Sequence, residues 1–344
     1  MKLRNTIGIL ALAVLAASCA KSYSLPANLT SKKLFDAWVQ VNAPTSAETE
    51  LGCRIIEDEP GTGALVGDVL DHPYVYIEYT VSDLDGNIAS TTCETTARRL
   101  GTYSESTYYG PVVADRLNAD SYGRYTVCPG LDEALSTMRV GGRRKVAVPG
   151  WLTGTTRYSD PEDYYKNESG SHLMYDVRVV DAVYDLEAYQ IKEIERYMET
   201  HLHKVDSTLY GYYYIQTQAP KNTDKWEAND VIYVNYTGRL LNGHVFDTTI
   251  KDTAKRYGLY DATKTYEPMY VTSISGDYKD VTITTSNSGA IYGFGYAMTT
   301  MHLGEKGTAV FYAALGYGNS AQGTSIPAYA PLRFDFEIVR KKEN

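Results

Sequence analysis

Apolar and polar positions alternate most strictly near the end of the chain. There Phe334, Phe336 and Ile338 interleave with Arg333, Asp335 and Glu337, the two-residue period of a strand with one buried face. Upstream, Val231, Tyr233 and Asn235 alternate with Ile232, Val234 and Tyr236, and the β-branched and aromatic content of both sets predicts a strand covered on much of both faces. Asn242-Gly243 follows as a hairpin signal, because both turn residues must accept positive φ. Ile291, Phe294, Met298 and Met301 stand three, four and three apart, which predicts one face of a short helix, with Gly304 placed to end it. Together these elements predict an α+β fold, a curved antiparallel sheet wrapped around a short helix.

The chain also repeats itself. Tyr79-Thr80 with its Asp85-Gly86 turn answers Tyr236-Thr237 with Asn242-Gly243; Thr137 to Gly141 answers Thr300 to Gly304; and Leu173 to Val180 answers Leu332 to Val339. The offsets are 157, 163 and 159 residues, and three landmarks in one order at nearly one offset imply two tandem domains, residues 50–183 and 205–344. Between them, Tyr184 to His203 lacks Gly and Pro, and Ile191, Ile194, Met198 and Leu202 share a face, so residues 184–204 read as a connecting helix. That helix either docks locally on one domain or spaces the two.

The second copy resembles a known family. The order Tyr236-Thr237-Gly238, Phe246-Asp247, Ile291-Tyr292-Gly293-Phe294, Met301-His302-Leu303-Gly304, Tyr317-Gly318, Ile326-Pro327 and Leu332 to Ile338 resembles the FKBP-type peptidyl-prolyl cis-trans isomerases over roughly the last 135 residues. The resemblance implies an enzyme that makes and breaks no covalent bond and needs no cofactor or metal. It implies a pocket in which Phe294 is the floor, Tyr317 donates its hydroxyl to the substrate carbonyl, and Asp247 supplies a polar group at the edge. Tyr236, Phe246 and Phe334 would be apolar walls for the proline ring, with Ile291 and Ile326 beside them. Against the family pattern, Phe294 stands where Trp is common, and Val281 stands where an aromatic is usual, which opens that wall. A long Tyr-rich segment, Thr248 to Asp280, either shapes substrate choice or covers a sheet edge.

The first copy keeps the framework and lacks the polar residues. Ile88-Ala89 stands where Phe-Asp is expected, Leu131 where the floor is expected, and Trp151-Leu152-Thr153-Gly154 where Tyr-Gly is expected. It reads as a degenerate domain that binds or spaces but does not catalyse.

The N-terminus changes the setting. Lys2 and Arg4 precede the apolar run Ile7 to Ala17, too short for a permanent span, and Leu15-Ala16-Ala17-Ser18-Cys19 looks like a bacterial lipobox. Residues 1–19 therefore read as an export signal ending at a lipidated Cys19, holding the protein on the periplasmic or outer-membrane face of the cell envelope, with residues 20–48 as a tether. Net charge is −9, and −11 without Lys2 and Arg4, and no basic stripe is present, which argues against nucleic acid as a partner. Outside the cytoplasm one pair of the three remaining cysteines can form a disulfide, Cys53 with Cys93 before the others, with Cys128 a buried thiol. His201-Leu202-His203 reads as a solvated helix end rather than a metal site.

The expectation is thus a lipid-anchored peptidyl-prolyl isomerase acting on proline-containing polypeptides that fold outside the cytoplasm. The alternative is a non-catalytic peptide-binding chaperone, or a subunit of an envelope lipoprotein complex, using the same pocket.

Overall fold

A computed structural model describes residues 28–119, 124–205, 207–273, 276–284, 286 and 288–339. The first unit runs α1 (Leu29–Asn42), β1 (Ala47–Glu48), β2 (Arg54–Glu59), β3 (Tyr74–Ser82), β4 (Ile88–Thr91), α2 (Glu94–Leu100), β5 (Val112–Asp115), α3 (Pro129–Ser136), β6 (Arg143–Val148), α4 (Pro161–Asn167) and β7 (Leu173–Val183). After the connecting α5 (Leu186–Tyr197) come β8 (Ser207–Leu209), β9 (Tyr212–Gln218), β10 (Val231–Leu240), β11 (Val245–Thr248), α6 (Lys251–Arg256), β12 (Met269–Ser273), β13 (Val281–Ile283), β14 (Ser288–Gly289), α7 (Tyr292–Thr300), β15 (Lys306–Phe311) and β16 (Leu332–Val339).

The two sheets share one topology. The first is ordered β2-β6-β7-β3-β4 with β5 also on β3; the second is ordered β9-β15-β16-β10-β12 with β11 also on β10, all antiparallel. The duplication reaches single hydrogen bonds. Tyr79 N–H donates to Thr92 Oγ1 and Tyr236 N–H to Thr249 Oγ1, each at 2.9 Å, while Thr80 meets Thr91 at 2.8 Å and Thr237 meets Thr248 at 3.0 Å. Even the register slip of the hairpin recurs, between Val81 and Ser82 in one copy and between Gly238 and Arg239 in the other. Buried bonds of this kind satisfy backbone groups at the point where the ladder is interrupted.

Each sheet curls on its helix for the expected reason. On β16, Leu332, Phe334, Phe336 and Ile338 are buried and their neighbours are half-buried. They face Phe294, Ala297 and Met298 of α7. The helix stops at Thr300, earlier than Gly304; Gly304 instead takes φ +80° in the turn into β15, where its N–H donates to the Ile338 carbonyl.

α5 docks locally. Ile194 and Met198 are fully buried against Tyr213 and Val310, and Tyr213 donates to Glu195 at 3.0 Å. Asp185 caps its start by accepting from Ala188 N–H at 3.0 Å.

Two expectations are corrected. The expected tether of residues 20–48 holds a helix over Leu29–Asn42, α1, whose Phe35 and Val39 enter the first core beside Trp151 and Leu152. Only that narrow stripe of the helix is buried, which leaves little apolar periodicity in its sequence. The Cys53–Cys93 disulfide is absent: Cys53, Cys93 and Cys128 are free thiols, Cys53 buried against the Gly130 carbonyl and Cys93 part-exposed at the start of α2.

His172 ties α1 to the first domain. Gly150 N–H donates to its Nδ1 at 2.9 Å, so Nε2 carries the proton and faces the Ser31 carbonyl at 3.2 Å. Burial lowers the His172 pKa, partly offset by Ser31. A depressed histidine contributes stability that is present above its unfolded value of about 6.5 and lost as pH falls toward the folded value. The urea midpoint should therefore drop between about pH 7.5 and 5, with a shallower slope in His172→Gln. Equal slopes in the two proteins would rule this out.

Candidate functional site

A row of rings forms the base of the C-terminal site. Alternation on β16 puts Phe334 and Phe336 on one face, stacked at 5.3 Å and 5°, and Phe311 of β15 stacks on Phe334 at 5.8 Å and 6°. Phe294 comes down from α7 edge-on, 5.6 Å and 87° from Phe334 and 5.1 Å and 82° from Phe336, the geometry that sets ring edges on ring faces. Tyr236 of β10 meets Phe294 at 5.5 Å and 89°, and Phe246 of β11 meets Phe334 at 5.6 Å and 77°.

Above these rings lies a cleft of about 390 Å³ that brings together all eight residues expected from the sequence: Tyr236, Phe246, Asp247, Ile291, Phe294, Tyr317, Ile326 and Phe334. Cys19, expected to carry lipid, lies outside the described residues. The cleft is also lined by Met269, Ile283, Ser288, Gly289, Ala290 and Ser325, which sequence reasoning missed. Ala290 and Ser325 adjoin expected residues. Met269 and Ile283 are set by pairing, since β12 lies between β10 and β13 in the sheet.

That pairing corrects the reading of Val281. It is buried in the core, 1% exposed, and does not line the cleft; Ile283, two positions on, closes that wall. The long segment after Asp247 contains α6 and then β12, which pairs with β10 on one side and β13 on the other.

Asp247 is the polar centre. Its Oδ2 accepts from the Tyr236 hydroxyl, and its Oδ1 accepts from Lys264 Nζ at 2.7 Å and from Thr248 N–H at 2.9 Å. Lys264 comes from the segment between α6 and β12, so that segment supplies a cation at the cleft mouth. Burial and then Asp247 push the Tyr236 phenol above its ordinary range. The Tyr317 phenol is raised by the same two causes in the same order, so it keeps its proton at neutral pH. Among the described residues the Tyr317 hydroxyl has no hydrogen-bond partner, which leaves it free to donate.

The repeat shows what the first copy lacks. Register places Ala89 and Ser90, one position later than the sequence alone implied, where Phe246 and Asp247 stand; Ile88 is a part-exposed rim residue. Val81 takes the place of Gly238, where a Cβ would lie 2.3 Å from the Phe246 ring. A cleft walled by Phe at that point therefore requires glycine on the opposing strand.

Residues 222–339 match the family model of the FKBP-type peptidyl-prolyl cis-trans isomerases. The human peptidyl-prolyl cis-trans isomerase FKBP9 is 23% identical over 297 residues, and the mouse protein of that name 22%. The matches take in 82% of this chain but only 42% of each relative, so the chain spans less than half the length of these curated relatives. Among solved structures, the three FKBP domains of wheat FKBP73 are 15% identical, covering 83% of this chain and 92% of that one, at a TM-score of 0.30. FkpA from Escherichia coli is 23% identical, covering 45% and 58%, at a TM-score of 0.32.

Gly238→Ala should destabilise the protein by about 1–3 kcal/mol, the usual cost of overpacking, because Phe246 must leave its place against Phe334. Chemical denaturation measures it, and an unchanged midpoint would show that the wall can yield without cost.

The FKBP-type family model thus lies along β10 to β16, and a sheet of the same topology as the one it matches precedes it in the chain.

Proposed function

We propose that the C-terminal domain accelerates cis-trans rotation about X-Pro bonds in polypeptides, with Tyr317, Asp247 and Phe294 as its working residues. The observation that carries this is the Tyr317 hydroxyl, without a hydrogen-bond partner among the described residues, lining the same aromatic cleft as a fully bonded Asp247.

The chemistry follows from the amide. Rotation about an X-Pro bond must break conjugation worth roughly 18–20 kcal/mol of barrier, and it is slow enough, tens of seconds or more, to limit folding. The planar amide is the more dipolar state, so a dry cleft disfavours it relative to the twisted one. Phe294, Phe334, Phe246 and Tyr236 exclude water and hold the proline ring. Tyr317 fixes the carbonyl of the preceding residue by donating its hydroxyl proton, so the ring side turns while the carbonyl stays. Asp247, held by Tyr236 and Lys264, keeps the carboxylate at the edge, where it orients the wall tyrosine rather than entering the ring pocket.

The setting we propose is the bacterial cell envelope, with a mature protein held to membrane by lipid on Cys19 and clients among exported proteins. The support is the basic start, the apolar run and the Leu15 to Cys19 ending.

In a coupled exchange assay on X-Pro peptides, Tyr317→Phe should slow catalysis about tenfold, the upper end of the ~0.5–1.5 kcal/mol that one hydrogen bond contributes, and Tyr317→Phe with Asp247→Ala should abolish most of it. A folded wild type inactive on several X-Pro sequences would end the isomerase reading; peptide bound without acceleration would make the cleft a chaperone site. Separately, Cys19→Ser should move the protein from the membrane fraction to the soluble one, and an unmoved protein would exclude the anchor.

A further inference from the structure

The loop between β15 and β16, residues 312–331, carries Tyr317 and Ile326; Leu315 and Ile326 enter the C-terminal core, but several of its hydrogen-bond anchors lie outside its own sheet. Ala313 N–H donates to Gln190 Oε1 on α5 at 3.0 Å, and Gln190 Nε2 donates to the Tyr329 carbonyl at 2.8 Å. Tyr329 N–H then donates to the carbonyl of Gly318, the residue after Tyr317, at 2.7 Å. Gln190 is 2% exposed, so its amide is committed to these bonds.

The side chain of Tyr329 crosses into the first domain. Its hydroxyl donates to Asp115 Oδ2 on β5, and its ring meets Tyr74 of β3 at 5.8 Å and 69°. Asp115 is itself fixed, since Oδ1 accepts from Leu117 N–H at 3.0 Å and Asn118 N–H at 2.9 Å. Tyr329 holds φ +62°, a left-handed backbone that bulky residues rarely adopt and that persists only where the surroundings over-determine it. Further along the loop, Tyr108 N–H of the first domain donates to the Thr324 carbonyl at 2.8 Å, and the Thr107 and Thr324 hydroxyls share a bond of 3.2 Å.

We propose that Tyr329 is a positioning residue through which the catalytically bare first domain holds the Tyr317 loop in its donating geometry. The proposal rests on the isomerase reading above. Gln190 of α5 grips the loop on both sides of Tyr317 and Asp115 of the first domain holds Tyr329 beyond it, so the first domain is a working part of the second domain's site rather than a spacer.

The test uses the full-length protein as wild type, Tyr329→Phe, Tyr317→Phe and the double variant. It reads X-Pro exchange, amide hydrogen exchange over residues 313–329, and thermal midpoint. Tyr329→Phe keeps the ring and loses only the bond to Asp115. It should lower kcat about fivefold while KM stays within about twofold, and it should speed exchange at the Ala313 and Tyr329 amides. Added to Tyr317→Phe it should cost nothing more, because both act through one hydroxyl. A merely structural role would lower the thermal midpoint without the split between kcat and KM. The proposal is overturned if the two effects multiply, or if Tyr329→Phe matches the wild type in kcat and in amide protection. A wild type that accelerates nothing overturns the isomerase reading and the catalytic role of Tyr329 together; amide protection then decides the grip on the loop by itself.

Discussion

The ring of Phe294 meets Phe334 and Phe336 edge-on and Tyr236 at right angles, and this cluster is both the centre of the C-terminal core and the base of its cleft. The same face of α7 that drives the sheet to curl therefore also fixes the depth of the pocket. Edge-to-face pairs contribute ~0.5–1.5 kcal/mol each beyond burial, but their larger effect is directional, since a ring gripped on three sides has one orientation. Phe246 extends the row to the cleft mouth, and it can do so only because Gly238 leaves the opposing strand bare.

The first domain shows the same framework under different side chains. Thr80, Thr91 and Thr92 keep the hydrogen bonds around the hairpin slip, and Leu131 and Leu135 keep a buried helix face. Val81, Ala89 and Ser90 replace the glycine, the wall and the carboxylate. Backbone satisfaction and core burial hold a fold whatever its pocket contains, so a duplicated sheet can lose a site without losing its shape. What the first copy retains is a surface, and through Asp115, Tyr108 and Thr107 that surface now touches the loop bearing Tyr317 and Ile326.

Charge is used sparingly. The chain is acidic, yet Asp247 does not stand alone: Lys264, delivered by the segment between α6 and β12, pairs with it. A part-exposed pair of this kind adds little to stability. Its consequence is local, because it fixes the carboxylate against Tyr236 and leaves the Tyr317 hydroxyl without a partner among the described residues.

Much of this was legible in the sequence. Period-two alternation marked β10 and β16, three-and-four spacing marked α7, and the offsets near 160 residues announced two sheets of one topology, because local pattern and repeat are properties of the chain itself. The eight cleft residues were named from motif order and do converge on one cleft. Pairing and packing decided the rest. Val281 and Ile283 share one strand face, and which of them reaches the cleft depends on how far along β12 each is paired, Val281 beside Ser273 and Ile283 beside Val271. That residues 29–42 are a docked helix depends on a groove made by Trp151 and Leu152, more than a hundred residues away. That Cys53 and Cys93 stay apart, that Lys264 reaches Asp247, and that Tyr329 reaches Asp115 across 214 positions are contacts between distant segments. No local pattern encodes such contacts; only the folded chain brings their partners together.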